Sequence, residues 1–207
     1  IIPMSNQAGQ SNLRRRLSDA GLTIGEDGQA LSRILEVVKD REDQGYSYDT
    51  AQASFEILAR RELGQLPDFF DVKRYKVTVE RRKNKYNKMV SLSEAVVVVK
   101  IDGEKKLSVS ESLDGSGSDR GPVNALAKAL SKDLGQYQSM IDDMHLVDFK
   151  VRITQGGTEA VTRVVIDSED SKGRRWSTVG VSANIVDASF EALLDAINWK
   201  LIRDTQQ

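Results

Sequence analysis

The chain lacks cysteine, and it contains one histidine, His145, and three prolines among its 207 residues. Without cysteine there are no disulfides, no thiolate metal ligands and no cysteine nucleophile. A single histidine leaves little scope for a histidine-rich metal site or for acid–base catalysis by imidazole. We therefore expect neither a catalytic nor a metal-binding constellation in this chain, and a cysteine-free composition agrees with a cytoplasmic location.

Long apolar runs and a strong net charge are also missing. No apolar stretch approaches the length that spans a bilayer, and the start of the chain does not read as a secretory signal. The net charge of −1 argues against a general polyanion binder. We expect a protein without membrane spans that buries an ordinary core. Because the chain begins at Ile1 rather than at methionine, we also expect it to be part of a longer protein.

The residues up to Gly64 carry helical patterns. Ser11 can cap a short helix that Gly21 closes, and a second helix follows with apolar residues at helical spacing and a stop at Gly45. Asp49 and Gln52 resemble a capping box that opens a third helix. The three helices are short, so we expect a small subdomain that leans on another part of the protein.

After Pro67 the pattern changes to alternating strands, and it then repeats. Each copy reads as three strands followed by one amphipathic helix, which predicts an α+β fold made of a pseudo-two-fold pair of βββα units. The first unit has a hairpin turn at Asp102-Gly103 and a helix that begins at Gly121-Pro122. In the second unit, Asn184 can cap the last helix.

This pattern divides the chain into three parts. We predict a linker over residues 1–22, a small helical subdomain over residues 23–68, and a domain over residues 69–207 that contains both βββα units. The units themselves cover residues 71–135 and 146–203. Concave surface arises where such halves meet, and ligands often bind there.

The two strand-to-helix junctions are the candidate binding site. Each directs a helix N-terminus, with free N–H groups and a partial positive charge, towards one end of a sheet. A carboxylate beside small or apolar side chains describes a branched-chain amino acid, so the candidate residues are Gly121, Pro122, Ala125, Val181, Ser182, Asn184, Ile185 and Ala188. The alternative is that Ser182, Asn184 and Gly121-Pro122 only cap helices, which is common for these residue types.

A basic run offers a different function. Arg81, Arg82, Lys83, Lys85 and Lys88 surround Tyr86, and a strand-strand-strand-helix unit after a helix is also found in double-stranded-RNA-binding modules. The alternative reading is a solvated hairpin loop, which the near-neutral charge of the chain favours.

Two long motifs resemble a known family. The segments GPVNALAKAL and STVGVSANIVDASFEALLDAINWKL resemble the C-terminal regulatory domain of the 2-isopropylmalate synthase and citramalate synthase family. The segments LVDFKVRI and GTEAVTRVVIDS fit the same family. The N-terminal SNQAGQSNL resembles the segment that follows the catalytic barrel, in a form closer to citramalate synthases. One loop departs from the family, which usually has GNGP there: this chain reads GSDRGP, in which Gly121 and Pro122 match but Asp119 and Arg120 replace the first Gly and the Asn.

The resemblance implies that the parent is an acyltransferase that condenses acetyl-CoA with a 2-oxo acid on a divalent metal in a TIM barrel. That barrel would precede Ile1, so this chain would hold no cofactor and have no activity of its own. It would be an allosteric region that forms a homodimer and gives end-product feedback inhibition in branched-chain amino acid biosynthesis. Isoleucine or leucine would be the effector, bound between the two units, with its side chain near Ala125, Val181 and Ala188. No nucleic-acid or membrane partner is implied.

Overall fold

The structure, a computed structural model, describes residues 6–26, 28–114 and 121–206. Three helices are followed by two successive units, each made of three strands and a helix that packs on them. This order confirms the predicted α+β class. The helices are α1 Asn6–Asp19, α2 Gly28–Asp43, α3 Gln52–Glu62, α4 Gly121–Leu130, a short α5 Gln138–Ile141 and α6 Ile185–Thr205. The strands are β1 Asp71–Lys83, β2 Met89–Ile101, β3 Glu104–Asp114, β4 His145–Gly156, β5 Glu159–Glu169 and β6 Arg175–Ser182.

The strands form two separate antiparallel sheets, sheet 1 in the order β1-β2-β3 and sheet 2 in the order β4-β5-β6. The register shifts once between Val72 and Arg74 in β1, and once between Leu146 and Asp148 in β4. In both strands an aromatic residue follows the shift, Tyr75 in β1 and Phe149 in β4. The repeat in the sequence is therefore a repeat in the structure, down to the position of a local irregularity.

Helix α4 packs on sheet 1 and α6 packs on sheet 2, because each sheet turns one apolar face towards its own helix. The core joins both units in one cluster, in which Val97 and Leu126 of the first unit accompany Val164 and Leu193 of the second. Aligning the helix sequences GPVNALAKAL and NIVDASFEAL pairs Ala125 with Ala188, Asn124 with Asp187 and Ala127 with Phe190. These pairs locate the equivalent positions of the two units.

The three N-terminal helices form a second cluster that covers the outer face of sheet 2, which is the face opposite α6. Val179 is buried in this cluster, and Val165 and Val181 pack against it. The loop after α2 comes closest to sheet 2 at Gly45, which has a φ of 109°. A Cβ there would lie 2.9 Å from Cγ2 of Val161. Gly45 therefore permits both the turn and the close approach.

Two predicted helix starts are wrong. Helix α1 spans Asn6–Asp19, so Ser11 lies in its interior. Helix α3 has Ala51 at its N-cap, without a side-chain capping bond. Asp49 lies outside that helix and is 3.8 Å from the guanidinium of Arg16. Residue type alone suggested these caps, and tertiary contacts determined the actual helix boundaries.

Among the described residues, no helix is long and apolar enough to cross a membrane.

Candidate functional site

The junction before α6 is a well-formed helix cap. The Asn184 side chain accepts a hydrogen bond from the backbone N–H of Val186 at 2.8 Å. The Ser182 hydroxyl accepts one from the N–H of Asn184 at 3.1 Å. Both predicted site residues thus hydrogen-bond to backbone groups of the chain itself, as expected if they only cap the helix. Ile185, at the first helical position, is 40% exposed.

The junction before α4 is described only from Gly121 onwards. Gly121 is buried, Pro122 is half-buried and Ala125 is fully buried against the core. Residues 115–120, which include the departure from the family at Asp119 and Arg120, lie outside the described residues.

Helix α6 lies unusually close to sheet 2 at Ala188. A Cβ built on Gly180 of β6 would come within 1.9 Å of the backbone oxygen of Ala188. Ala188 has no exposed surface. Its side chain is therefore part of a tight helix–sheet contact, and no room for a ligand is left at this point.

Val181 lies on the other face of the same sheet. Along β6, Thr178 faces α6, since its hydroxyl donates to the carbonyl oxygen of Ala192 at 2.7 Å. Val181 lies three residues after Thr178 in the same strand, so its side chain projects to the opposite face of the sheet. There it packs with the N-terminal helices. The structure therefore separates Val181 from Ala188, and the expectation that one ligand side chain contacts both does not agree with it.

The groove between α6 and β1 is filled by side chains of the chain itself. The rings of Tyr75 and Phe190 stack with centroids 4.1 Å apart. The Tyr75 hydroxyl donates a hydrogen bond to the carboxylate of Asp187. Burial, together with this carboxylate, raises the pKa of Tyr75. The α6 side of the predicted site is thus closed in this structure.

The equivalent region at α4 is open. Asn124 and Ala127 occupy the positions of Asp187 and Phe190, and both line a pocket of about 270 Å³ where the two units meet. We call this the unit-interface pocket. It lies among α4, α5, the start of β4 and α6, and its other lining residues are Lys128, Ser131, Ile141, Met144, His145, Leu146, Leu193 and Ile197.

The lining of the unit-interface pocket is divided between an apolar wall and a polar edge. Ile141, Leu193 and Ile197 are buried core residues. Asn124, Lys128 and His145 are exposed, so their polar ends can meet solvent or a ligand. Such a pocket can hold a small apolar side chain while an ammonium group on its edge attracts a carboxylate. None of these lining residues was among the predicted site residues, because sequence reasoning considered the helix N-termini rather than the sides of the helices.

A buried ion cluster lies behind one wall of this pocket. The Lys200 side chain of α6 is 1% exposed, and its Nζ lies 3.1 Å from Asp143, 3.2 Å from Asp170 and 2.6 Å from Asp204. Asp143 immediately precedes Met144 and His145 of the pocket. Burial opposes ionisation of Asp170, but hydrogen bonds from Arg174 and Lys200 outweigh it and lower its pKa to about 2. No sequence signal distinguished Lys200 from an ordinary polar helix residue.

The opposite side of α6 forms a polar contact with the N-terminal helices. The Tyr46 hydroxyl donates to Glu191 at 2.5 Å, and the Ser54 hydroxyl donates to Asp195 at 2.8 Å. Burial raises the pKa of Asp195 to about 7, although the Ser54 bond acts in the other direction. One helix therefore contacts the unit-interface pocket on one side and the N-terminal helices on the other.

The basic run lies at the exposed end of the β1–β2 hairpin. Tyr86 is 70% exposed there, and a tight turn is held by the Asn84 side chain, which accepts from the N–H groups of Tyr86 and Lys88. No further element covers this turn among the described residues. The side chains extend into solvent, as the solvated-loop reading predicts.

The model of the LeuA allosteric (dimerisation) domain matches residues 49–201 of the chain. The chain belongs to this family. The match includes both βββα units and helix α3, so the resemblance inferred from the two junction motifs is confirmed.

Several relatives of this chain are named as synthases. An (R)-citramalate synthase from Aquifex aeolicus is 36% identical over 208 residues, which cover 100% of this chain and 37% of that protein. An (R)-citramalate synthase from Geobacter sulfurreducens is 38% identical, with 97% and 36% covered. A probable 2-isopropylmalate synthase from Archaeoglobus fulgidus is 26% identical, with 97% and 35% covered. The chain thus spans little more than a third of the length of these relatives.

Proposed function

We propose that this chain is the amino-acid-sensing regulatory region of an acetyl-CoA-dependent synthase of the citramalate type. The family is described as an allosteric and dimerisation domain, and two of the relatives above are (R)-citramalate synthases. The rest of the parent, a catalytic barrel with its divalent metal, would condense acetyl-CoA with a 2-oxo acid in the cytoplasm. Among the described residues no cluster of acidic or histidine side chains could hold a metal ion, so we assign no catalytic step to this chain.

The observation that carries the proposal is the difference between two equivalent grooves. Tyr75 and Phe190 fill the groove at α6, whereas Ala127 leaves the groove at α4 open as the unit-interface pocket. A small ligand that fits between the two units would therefore bind on the α4 side. Gly121, Pro122 and Ala125, predicted from sequence, belong to this helix, whereas Ser182, Asn184, Ile185 and Ala188 belong to the closed side.

The chemistry of the pocket suits a branched-chain amino acid. Its apolar side chain would lie against Leu193 and Ile197, and its carboxylate would lie near the ammonium group of Lys128. The effector we expect is isoleucine first and leucine second. Its binding would inhibit the parent enzyme, as end-product feedback requires, because α6 contacts both the pocket and the N-terminal helices that lead towards the barrel.

We also propose that the homodimer forms through the outer face of sheet 1. The outer face of sheet 2 is covered by the N-terminal helices, but the equivalent face of sheet 1 has no cover among the described residues. We call it the open face, and its apolar residues are Leu92, Val96, Val98, Leu107, Val109 and Leu113. Leu107 and Leu113 are 61% and 66% exposed. Because the family is described as a dimerisation domain, we expect a second copy of this chain to cover the open face.

Calorimetric titration tests the effector site. Isoleucine and leucine are titrated into the chain, into Ala127→Phe and into Ala160→Phe. Ala127→Phe copies the residue found at the equivalent position of α6, so it should fill the pocket and abolish binding in a folded protein. Ala160 is exposed on β5, so its variant should bind as the unchanged chain does.

Three outcomes would contradict the proposal. The first is that neither isoleucine nor leucine binds. The second is that a folded Ala127→Phe binds them with the affinity of the unchanged chain. The third is that the chain binds a short RNA duplex more tightly than it binds the amino acids. The last outcome would favour the basic hairpin as the functional surface. Circular dichroism of each variant establishes whether it is folded.

A further inference from the structure

A second cavity lies on the outer face of sheet 2, beside the N-terminal helices. Its volume is about 440 Å³, and strands β4, β5 and β6 form its floor while the loop between α2 and α3 forms one wall. We call it the outer groove. Its polar lining residues are Ser47, Thr50, Lys150, Arg152, Arg163, Asp167 and Ser177. It lies on the opposite side of the sheet from α6, so it is separate from the unit-interface pocket.

Two arginines oppose each other directly on the floor of the outer groove. Arg152 of β4 and Arg163 of β5 are cross-strand partners in the antiparallel register. Like charges at such positions destabilise a sheet, because the two side chains project side by side. An anion between them would remove this repulsion. Guanidinium groups are well suited to that task, since each can donate two hydrogen bonds to a phosphate.

The neighbouring carboxylates do not neutralise this pair. Asp148 lies 3.4 Å from Lys150, and Asp167 lies 2.9 Å from Arg175. The Ser177 hydroxyl also donates to Asp167, at 2.6 Å. In residues 6–26, 28–114 and 121–206, neither Arg152 nor Arg163 forms an ion pair. Asp167 also lines the groove but is held by Arg175 and Ser177, so among these residues neither guanidinium has a carboxylate partner of its own.

One of the two arginines is held in place. The Arg163 Nε donates to the backbone oxygen of Gly45 at 2.6 Å, which joins the floor of the groove to the N-terminal helices. The terminal nitrogens of the same guanidinium stay available. Ser47 and Thr50 add hydroxyl donors from the wall. A fixed guanidinium loses less side-chain entropy when it binds a ligand than a free one does.

We propose that the outer groove binds a small phosphate-bearing anion whose oxygens bridge Arg152 and Arg163. This site is independent of the amino-acid effector, and it lies where the N-terminal helices meet the regulatory sheet. A bound anion would strengthen that contact, because it would link Arg163 to the α2–α3 loop.

The probe for this site is pyrophosphate, titrated calorimetrically into the chain at constant ionic strength, with inorganic phosphate and ATP as further probes. Arg152→Ala removes one guanidinium without breaking a bond within the protein, and it should weaken pyrophosphate binding about tenfold or more. Arg82→Ala removes an exposed charge of the basic hairpin, and it should leave the affinity unchanged. Binding of ATP in addition to pyrophosphate would identify a nucleotide as the source of the phosphate.

The proposal is overturned if pyrophosphate does not bind, if Arg152→Ala binds it as tightly as the unchanged chain, or if both variants weaken it equally. The last result would mean a non-specific response to charge. Isoleucine binding is measured on the same samples. If Arg152→Ala loses pyrophosphate but keeps isoleucine, the two sites are independent, as proposed.

Discussion

Tyr75 of the first unit stacks on Phe190 of the second, with ring centroids 4.1 Å apart, and its hydroxyl binds Asp187 of the same helix. This contact joins the two βββα units through side chains. It also makes the pseudo-symmetric pair asymmetric, because the equivalent position of α4 carries Ala127. Under the proposed function, a ligand would bind one groove while the other holds the units together.

Phe190→Ala should loosen the contact between the units. The phenyl ring is half-buried, so we expect a loss of about 2–4 kcal/mol in the free energy of unfolding. Tyr75→Phe keeps the stacked rings and removes only the hydroxyl, and it should cost about 1 kcal/mol. Urea unfolding of both variants measures the difference. Equal losses would show that the stack itself contributes nothing.

Gly180→Ala should be strongly destabilising, because its Cβ would come within 1.9 Å of the oxygen of Ala188. Backbone must move to accommodate it, so we expect a loss of about 2–3 kcal/mol or more. Gly28→Ala, in α2, is the matched control, since nothing lies within 4 Å of its Cβ. There the same change should be neutral or slightly stabilising. Thermal unfolding of the two variants tests this, and similar melting temperatures would contradict the packing described.

The same contact corrects a variant that sequence reasoning suggests. Ala188→Phe would be expected to block an effector pocket in a folded protein. With Ala188 fully buried against Gly180, the larger side chain should instead disrupt the packing of α6. Ala127→Phe is the better blocking variant.

Lys200→Met should cost about 3–5 kcal/mol, because it removes the buried cation that Asp143, Asp170 and Asp204 share and leaves only Arg174 and the more exposed Lys172 beside them. Lys172→Met is the control. Lys172 lies 3.5 Å from Asp204 but is 49% exposed, so its loss should cost about 1 kcal/mol or less. Chemical unfolding at neutral pH measures both. A loss below 1 kcal/mol for Lys200→Met would mean that the cluster is not coupled to folding.

Asp195 makes a specific contribution to the pH dependence of stability. Its pKa in the folded protein is raised to about 7 from an ordinary value of 3.8. Between these values the folded state binds more protons than the unfolded state, so stability should fall as pH rises from about 4 to 7. Arg41, Arg61 and Glu191 face the same group and modulate this slope.

Asp195→Asn tests that contribution, since an amide oxygen can still accept from Ser54 but cannot ionise. The variant should show a flatter profile between pH 4 and 7, and above pH 7 it should be more stable than the unchanged chain. Unfolding free energies measured across this range decide the matter. Parallel profiles for the two proteins would exclude a role for Asp195.

Leu107→Glu should weaken the homodimer, because it places a charge on the open face beside Val98. Leu107 is 61% exposed in the single chain, so the change should not affect folding. Val79→Glu is the control: Val79 is 54% exposed on β1 but projects to the other side of sheet 1. Sedimentation at micromolar concentration should give monomer for the first variant and dimer for the second. A dimeric Leu107→Glu would place the interface elsewhere.

The strands and the repeat could be predicted from sequence because alternation is a local signal. Tyr75, Val77 and Val79 of β1 alternate with charged or polar residues, and Asp102-Gly103 marks the hairpin turn between β2 and β3, so the order of elements followed directly. The β1–β2 ladder continues beyond the alternating apolar residues, since polar residues as far as Lys83 still pair, Lys83 with Met89. Alternation does not mark where a solvated ladder ends.

The site was less predictable because it depends on which sides of two distant elements meet. Asn184 and Ser182 were predicted to bind the effector, and in the structure their side chains accept hydrogen bonds from backbone N–H groups at the start of α6. Val181 and Ala188 are close in sequence and yet lie on opposite faces of a sheet. Ala127 attracted no attention, because the importance of a small residue is visible only beside Phe190 at the equivalent position.

The neighbour-to-neighbour order of both sheets has a consequence for folding kinetics. Every strand pairs only with the strand before or after it in the chain, so each ladder closes a short hairpin loop. Such local closure favours rapid folding, and the docking of α4, α6 and the N-terminal helices must supply the slower, long-range steps. Amide hydrogen exchange should accordingly find the central strands β2 and β5 protected earliest during refolding.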